Sequence, residues 1–99
     1  QQTTGFASAY DRIDLPLASM EVRSRLLDQM QSNPPQTIAG QAVTDILSID
    51  GYKLQLADQS WLLIRFSGTE PVLRLYSEAL TMDRVRENLA WAKDWASAI

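Results

Sequence analysis

The stretch Trp61 to Ala79, WLLIRFSGTEPVLRLYSEA, constrains the chain most. Trp61-Leu62-Leu63-Ile64 and Val72-Leu73-Arg74-Leu75-Tyr76 are runs of strand-forming residues. Between them lies the polar turn Ser67-Gly68-Thr69-Glu70-Pro71, with an arginine at each edge. Connections this short join antiparallel neighbours, because parallel strands need a long crossover. Side chains alternate across a strand. Leu62, Ile64 and Phe66, with Leu73, Leu75 and Ala79, form apolar sets that predict contact with helices. Trp61, Leu63 and Arg65 share the other side, and beyond the turn so do Val72, Arg74, Tyr76 and Glu78. Arg65 and Arg74 therefore fall on one face, and sheet twist decides whether they converge.

The turn has the chemistry of an anion site. Arg65 offers a planar fork of donors that matches two oxygens of one phosphate. Ser67 and Thr69 offer hydroxyls. Gly68 lacks a Cβ, which lets backbone N–H groups approach an anion and permits positive φ. Successive N–H groups in such a turn form a concave nest for negative charge. On spacing alone a second reading stays open, a polar β-turn with a surface arginine.

The rest of the chain supplies the layer this sheet must cover. Ser19 is placed to cap a helix carrying Val22, Leu26 and Met30, with Leu27 broadening the stripe and Asn33-Pro34-Pro35 as the stop. Arg23 and Arg25 are expected on its solvated face. Ile38 to Ala42 is loosely strand-like, Val43 to Ile49 reads as a strand, and Asp50-Gly51 predicts a hairpin into Tyr52–Leu56. Thr81 is placed to cap a second helix with the stripe Met82, Val85, Leu89, Ala92 and Ala96. Trp91 and Trp95 sit at the flank of that stripe. They are expected either to cover the sheet edge or to mark a docking surface. Residues 1–9 read as a tether or a tail, and Tyr10 to Leu17 as an extended segment ended by Pro16. The pattern of helix, three or four strands and helix predicts an α+β fold: a two-layer arrangement, its antiparallel sheet covered by helices on one face.

Composition narrows the function. The 99 residues suit one domain. There are no histidines and no cysteines, which removes the commonest general base and the common soft metal ligands. Asp45, Asp50 and Asp58 fit no ligand loop and read as turn or edge residues. A net charge of −3 argues against general nucleic-acid binding. No run is long and apolar enough for a membrane span, so a soluble, cytoplasmic chain is expected. The start at Gln1 without methionine predicts a fragment or processed product.

Arg65, Ser67, Gly68, Thr69, Glu70 and Pro71, followed by Glu78-Ala79, resemble the phosphate-binding loop of the α-D-phosphohexomutases, the phosphoglucomutase/phosphomannomutase family. Asp58-Gln59-Ser60-Trp61 is similar to the family's approach to that loop, although glycine commonly stands where Gln59 does. The likeness extends more weakly over residues 18–99 and matches the family's C-terminal domain, with residues 1–17 as the linker from a preceding domain. It implies a TATA-binding-protein-like fold. It also implies that Arg65, Ser67, Gly68 and Thr69, with Arg74 as a secondary contact, hold the non-reacting phosphate of a sugar phosphate. Nothing in the chain resembles the family's serine loop, acidic metal loop or sugar-specificity loop. The resemblance therefore implies Mg²⁺ for the full-length enzyme but no cofactor in this domain. The implied partners are a phosphosugar and the preceding domains of the same chain, with neither nucleic acid nor membrane. The competing expectation is a free-standing interaction domain of the same fold that binds a protein or nucleic acid across its open sheet.

Overall fold

The structure, a computed structural model, describes residues 9–48 and 51–98. Its strands are β1 (Ala9–Pro16), β2 (Thr37–Ile38), β3 (Gln41–Leu47), β4 (Tyr52–Leu56), β5 (Trp61–Phe66) and β6 (Val72–Ala79). Its helices are α1 (Met20–Ser32) and α2 (Met82–Ser97). The strands form one sheet in the order β1-β6-β5-β4-β3-β2, and every neighbouring pair is antiparallel. The expected α+β class and two layers are observed. The strand number is larger than the expected three or four, for two reasons.

First, the segment from Tyr10 onward is β1, paired with β6 from Ala9↔Ala79 to Pro16↔Val72. Its charges hid it: Asp11, Arg12 and Asp14 interrupt the apolar pattern, as an edge strand allows. Second, Thr37–Ile38 and Gln41–Leu47 are separate strands joined through Ala39 and Gly40, both at positive φ. That is the primed-turn geometry of a two-residue hairpin, and alanine in its first position gave no sequence signal. The hairpin expected at Asp50-Gly51 lies partly outside the described residues, and the expected tether does so almost entirely.

Both helix caps form as the sequence predicts. Val22 N donates to Ser19 Oγ at 3.3 Å, and Arg84 N donates to Thr81 Oγ1 at 3.2 Å. Each satisfies a backbone donor that the first helical turn leaves free. Leu26 and Met30 of α1 join Val85, Leu89, Ala92 and Ala96 of α2 in one core. They meet Leu62, Ile64, Leu73, Leu75 and Ala79 from the sheet face assigned to the helices, together with Leu54 and Leu56 of β4. Met82, expected in the α2 stripe, is exposed. Asn88 is buried in the helix instead, its Nδ2 donating to Ser60 Oγ and Ser77 Oγ at 3.3 and 3.1 Å. Trp91 and Trp95 stack on each other with ring centroids 6.3 Å apart, and both are partly buried against the core.

The opposite sheet face carries no helix core. Register places Tyr10, Arg12 and Asp14 of β1 beside Glu78, Tyr76 and Arg74 of β6. It places those residues in turn beside Trp61, Leu63 and Arg65 of β5. Two aromatics were expected on this face; β1 adds Tyr10 and a further arginine. Tyr10 lies 6.3 Å from Trp61, and Lys53 Nζ lies 4.7 Å from the Trp61 ring centre.

Candidate functional site: the Arg65–Arg74 loop

The loop begins where β5 and β6 part. Arg65 and Arg74 are direct register partners across that pair, the last before Phe66↔Leu73. Twist does not separate them. Opposed residues of an antiparallel pair have Cβ atoms about 4.5–5.5 Å apart, and like charges so placed destabilise the ladder. Among the described residues, neither guanidinium makes an ion pair. Asp14 is the register neighbour of Arg74 on β1, but no ion pair forms between them. Arg65 is exposed and Arg74 half-buried. Two adjacent, unneutralised forks at one sheet end create a local positive field for an anion.

The backbone around Arg65 is tightly constrained. Gly51 has φ +137°, and a Cβ there would lie 2.7 Å from Ile64 O and 3.1 Å from Arg65 Cα. Any larger residue would push against the strand that carries Arg65. Gly51 thus keeps clear the space that this strand occupies.

Ser67 organises the loop from within. Its N–H donates to Val72 O at 3.2 Å, closing the base. Its Oγ accepts from Thr69 N at 3.4 Å and Glu70 N at 3.3 Å. The expected nest is therefore partly filled by the serine's own oxygen, and Gly68 supplies the amide left outside that arrangement. The hydroxyl hydrogen of Ser67 remains available as a donor. Gly68 does not use the positive-φ region open to glycine, and a Cβ built on it meets nothing within 4 Å. Glycine here leaves open space above the backbone rather than relieving strain. Gly68, Thr69 and Glu70 are all exposed. Leu17 N donates to Pro71 O at 2.6 Å, tying the chain after β1 to the loop's exit.

At the loop, sequence reasoning misplaced a residue of α1. Arg23, expected on the solvated face of α1, is half-buried, and its Nε donates to the Ser67 carbonyl. Its guanidinium lies 6.0 Å from the centre of the Phe66 ring. A signal was present. At about 100° per residue, Arg23 lies within about 20° of Met30 around the helix axis, so it belongs to the buried side. Arg25 does sit on the solvated face, pairing with Glu21 at 2.9 Å.

At the opposite end of β5, in the turn after β4, Asp58 accepts from Ser60 N at 3.0 Å and from Ser60 Oγ, and it pairs with Arg84 Nε at 2.8 Å. Burial pushes the Asp58 carboxyl up, but the Ser60 hydrogen bonds and the Arg84 charge outweigh it and hold the group below its ordinary value. Arg84 Nη1 also donates to Ala39 O at 2.9 Å, so this network fastens α2 to the β2–β3 turn. Its role is structural. No group of three or more His, Cys, Asp or Glu side chains among the described residues could hold a metal ion. No helix among the described residues is long and apolar enough to cross a membrane.

The sequence of residues 21–90 matches the model for the phosphoglucomutase/phosphomannomutase C-terminal domain. The chain belongs to that family. Its relatives bear the same stamp. The phosphopentomutase of Thermococcus kodakarensis is 42% identical over 57 residues, covering 58% of this chain and 13% of that protein. A probable phosphoglucosamine mutase of Methanosphaera stadtmanae is 46% identical over 43 residues, 43% of this chain and 10% of its own length. A phosphoglucomutase/phosphomannomutase of Thermococcus kodakarensis is 48% identical over 40 residues, 40% of this chain and 9% of its own. The mutase domain thus matches only about a tenth of the length of these curated relatives. Its antiparallel sheet and two helices agree with the TATA-binding-protein-like fold of the family.

Proposed function

We propose that this domain grips the non-reacting phosphate of a sugar phosphate while other parts of a mutase move phosphate between the 1- and 6-positions of a hexose. One observation carries the reading: Arg65 and Arg74 face each other across β5 and β6 with no ion-pair partner among the described residues, at the mouth of a hydroxyl- and amide-bearing loop. An anion between them relieves their repulsion as well as gaining charge-assisted hydrogen bonds. Arg65 supplies the forked charge, Arg74 a second, Ser67 and Thr69 their hydroxyls, and Gly68 its N–H. Glu70 stays off the phosphate, because like charges repel. The relatives' names support phosphate, not sugar, as the common element. They are mutases of phosphopentose, phosphoglucosamine, and phosphoglucose or phosphomannose. The grip's contribution to rate is positional, since binding energy remote from the reacting centre orients the sugar. Its partners are then a phosphosugar and the other domains of such an enzyme, in the cytoplasm, with the Mg²⁺ held outside this domain.

The test is a titration of the isotope-labelled chain with inorganic phosphate or glucose 6-phosphate, followed by NMR. Each charge-assisted bond contributes roughly 1.5–3 kcal/mol at best, and ordering the ligand offsets part of it. Dissociation constants on the order of millimolar are expected, rising with added salt because the site is open. The amides of Ser67, Gly68 and Thr69 move first, and Arg65→Ala abolishes the shifts without unfolding the chain. Shifts centred on the helices, or undiminished in Arg65→Ala, would refute the assignment.

A further inference from the structure

We infer that Arg23 of α1 is a positioning residue for the loop, fixing the shape in which Ser67, Gly68 and Thr69 meet an anion. The deduction rests on the phosphate-grip reading for its functional consequence, but its geometry stands alone. Ser67 is the hub of the loop. Its N–H closes the base on Val72 O, its Oγ collects the Thr69 and Glu70 amides, and its carbonyl takes the Arg23 Nε. Val72 belongs to the neighbouring strand, and the two collected amides belong to the loop itself. Among the described residues, the Arg23 hydrogen bond is the one that ties Ser67 to the helical layer.

That tie is itself held in place. The Arg23 guanidinium sits over Phe66, where ring and cation attract. Phe66 meets Tyr52 edge-on at 6.2 Å, and Tyr52 Oη accepts from Gln31 Nε2 of the same helix at 3.1 Å. The guanidinium is thus bracketed between α1 and the strand ends before it reaches the loop. With the carbonyl of Ser67 fixed, rotation of the peptide joining Ser67 to Gly68 is restrained. The N–H of Gly68 lies in that peptide. A donor aimed in advance loses less entropy when a ligand arrives. An arginine near a phosphate loop invites the simpler explanation of direct contact, and the two roles separate by measurement. A direct ligand changes affinity without changing the free loop. A positioning residue changes the free loop first.

The experiment compares the isotope-labelled chain with Arg23→Ala and Arg23→Lys, using backbone relaxation before ligand and inorganic phosphate titration after. In Arg23→Ala the order parameters of Ser67, Gly68 and Thr69 fall below those of the flanking strands, and phosphate binds about fivefold more weakly. In Arg23→Lys, whose ammonium still reaches a carbonyl but lacks the planar stack, loop order and affinity lie between wild type and alanine. Arg65→Ala loses phosphate binding with the free loop still ordered. If the loop amides of Arg23→Ala are as ordered as those of wild type, the positioning role is wrong, whatever the affinity. Should Arg23→Ala not fold, the lysine variant decides by the same criterion. If wild type itself shows no phosphate response at the loop, the grip reading fails, while the relaxation data still judge Arg23.

Discussion

Single residues show how local chemistry is recruited for the fold. Gln59 has φ +73°, in the left-handed region where a Cβ is strained. It stands between Asp58 and Ser60, whose side chain and backbone close the turn. Asp58 is the titrating element of that turn. Its folded pKa lies below the ordinary 3.8, so its stabilising contribution is complete above that value and is lost as pH falls through the lower folded value. Asp58→Asn is expected to cost about 1–2 kcal/mol at neutral pH, since charge-assisted bonds to Ser60 and Arg84 become neutral ones. The gap between variant and wild type should begin to narrow as pH falls below the ordinary 3.8 and close only below the lowered folded value, where the native carboxyl protonates as well. Denaturant melts in a series from pH 7 into acid check this; a gap that stays constant as pH falls through and well below 3.8 would assign the loss to shape rather than charge.

At the scale of elements, β1 is the least expected component and one of the most connected. It pairs with β6 along its full length, and Ile13 and Leu15 pack against the core. Leu17, just beyond it, bonds to the loop exit at Pro71. Removing residues 1–16 would bare the β6 edge and expose Ile13's and Leu15's contacts, each worth about 1.5–3 kcal/mol if fully buried. With both only partly buried, a loss of about 3 kcal/mol is expected, lowering the midpoint of thermal unfolding by about 10–20 °C. Calorimetry of the truncated chain tests it. An unchanged midpoint would mean that β1 only rests on a self-sufficient body beginning near Ala18. The extended reading of Tyr10 to Leu17 was correct in conformation, but hydrogen bonding to β6 was not visible in its composition.

For the whole molecule, layering separates stability from function. The core fills the space between helices and sheet, and the arginine pair and its loop sit at the sheet's end with their charges outward. The chain has neither histidine nor cysteine, and histidine is the side chain that most readily moves protons near neutral pH. The purified 99-residue chain is expected to convert no glucose 1-phosphate at any practical enzyme concentration, in a coupled assay for glucose 6-phosphate. Turnover by this chain would require a nucleophile and base that the phosphate-grip reading does not supply.

Alternation and turn chemistry alone determined much of this. Leu62, Ile64, Leu73 and Leu75 were placed on the helix side by period-two counting, and both caps were read from Ser19 and Thr81. The turn between β5 and β6 was legible because Ser67-Gly68-Thr69-Glu70-Pro71 is a run of turn-forming residues between two apolar strands. Arg74 entered by sharing a face with Arg65, but only the register made them direct neighbours, since period-two counting fixes sides and not partners. Arg23 was decided by the tertiary structure. It is 44 residues from the carbonyl it holds, and only the packing of α1 under Phe66 brings the two together. The same holds for β1. Its polar residues satisfy no strand pattern until an unpaired edge of β6 needs a partner, and that need exists only once the sheet has formed.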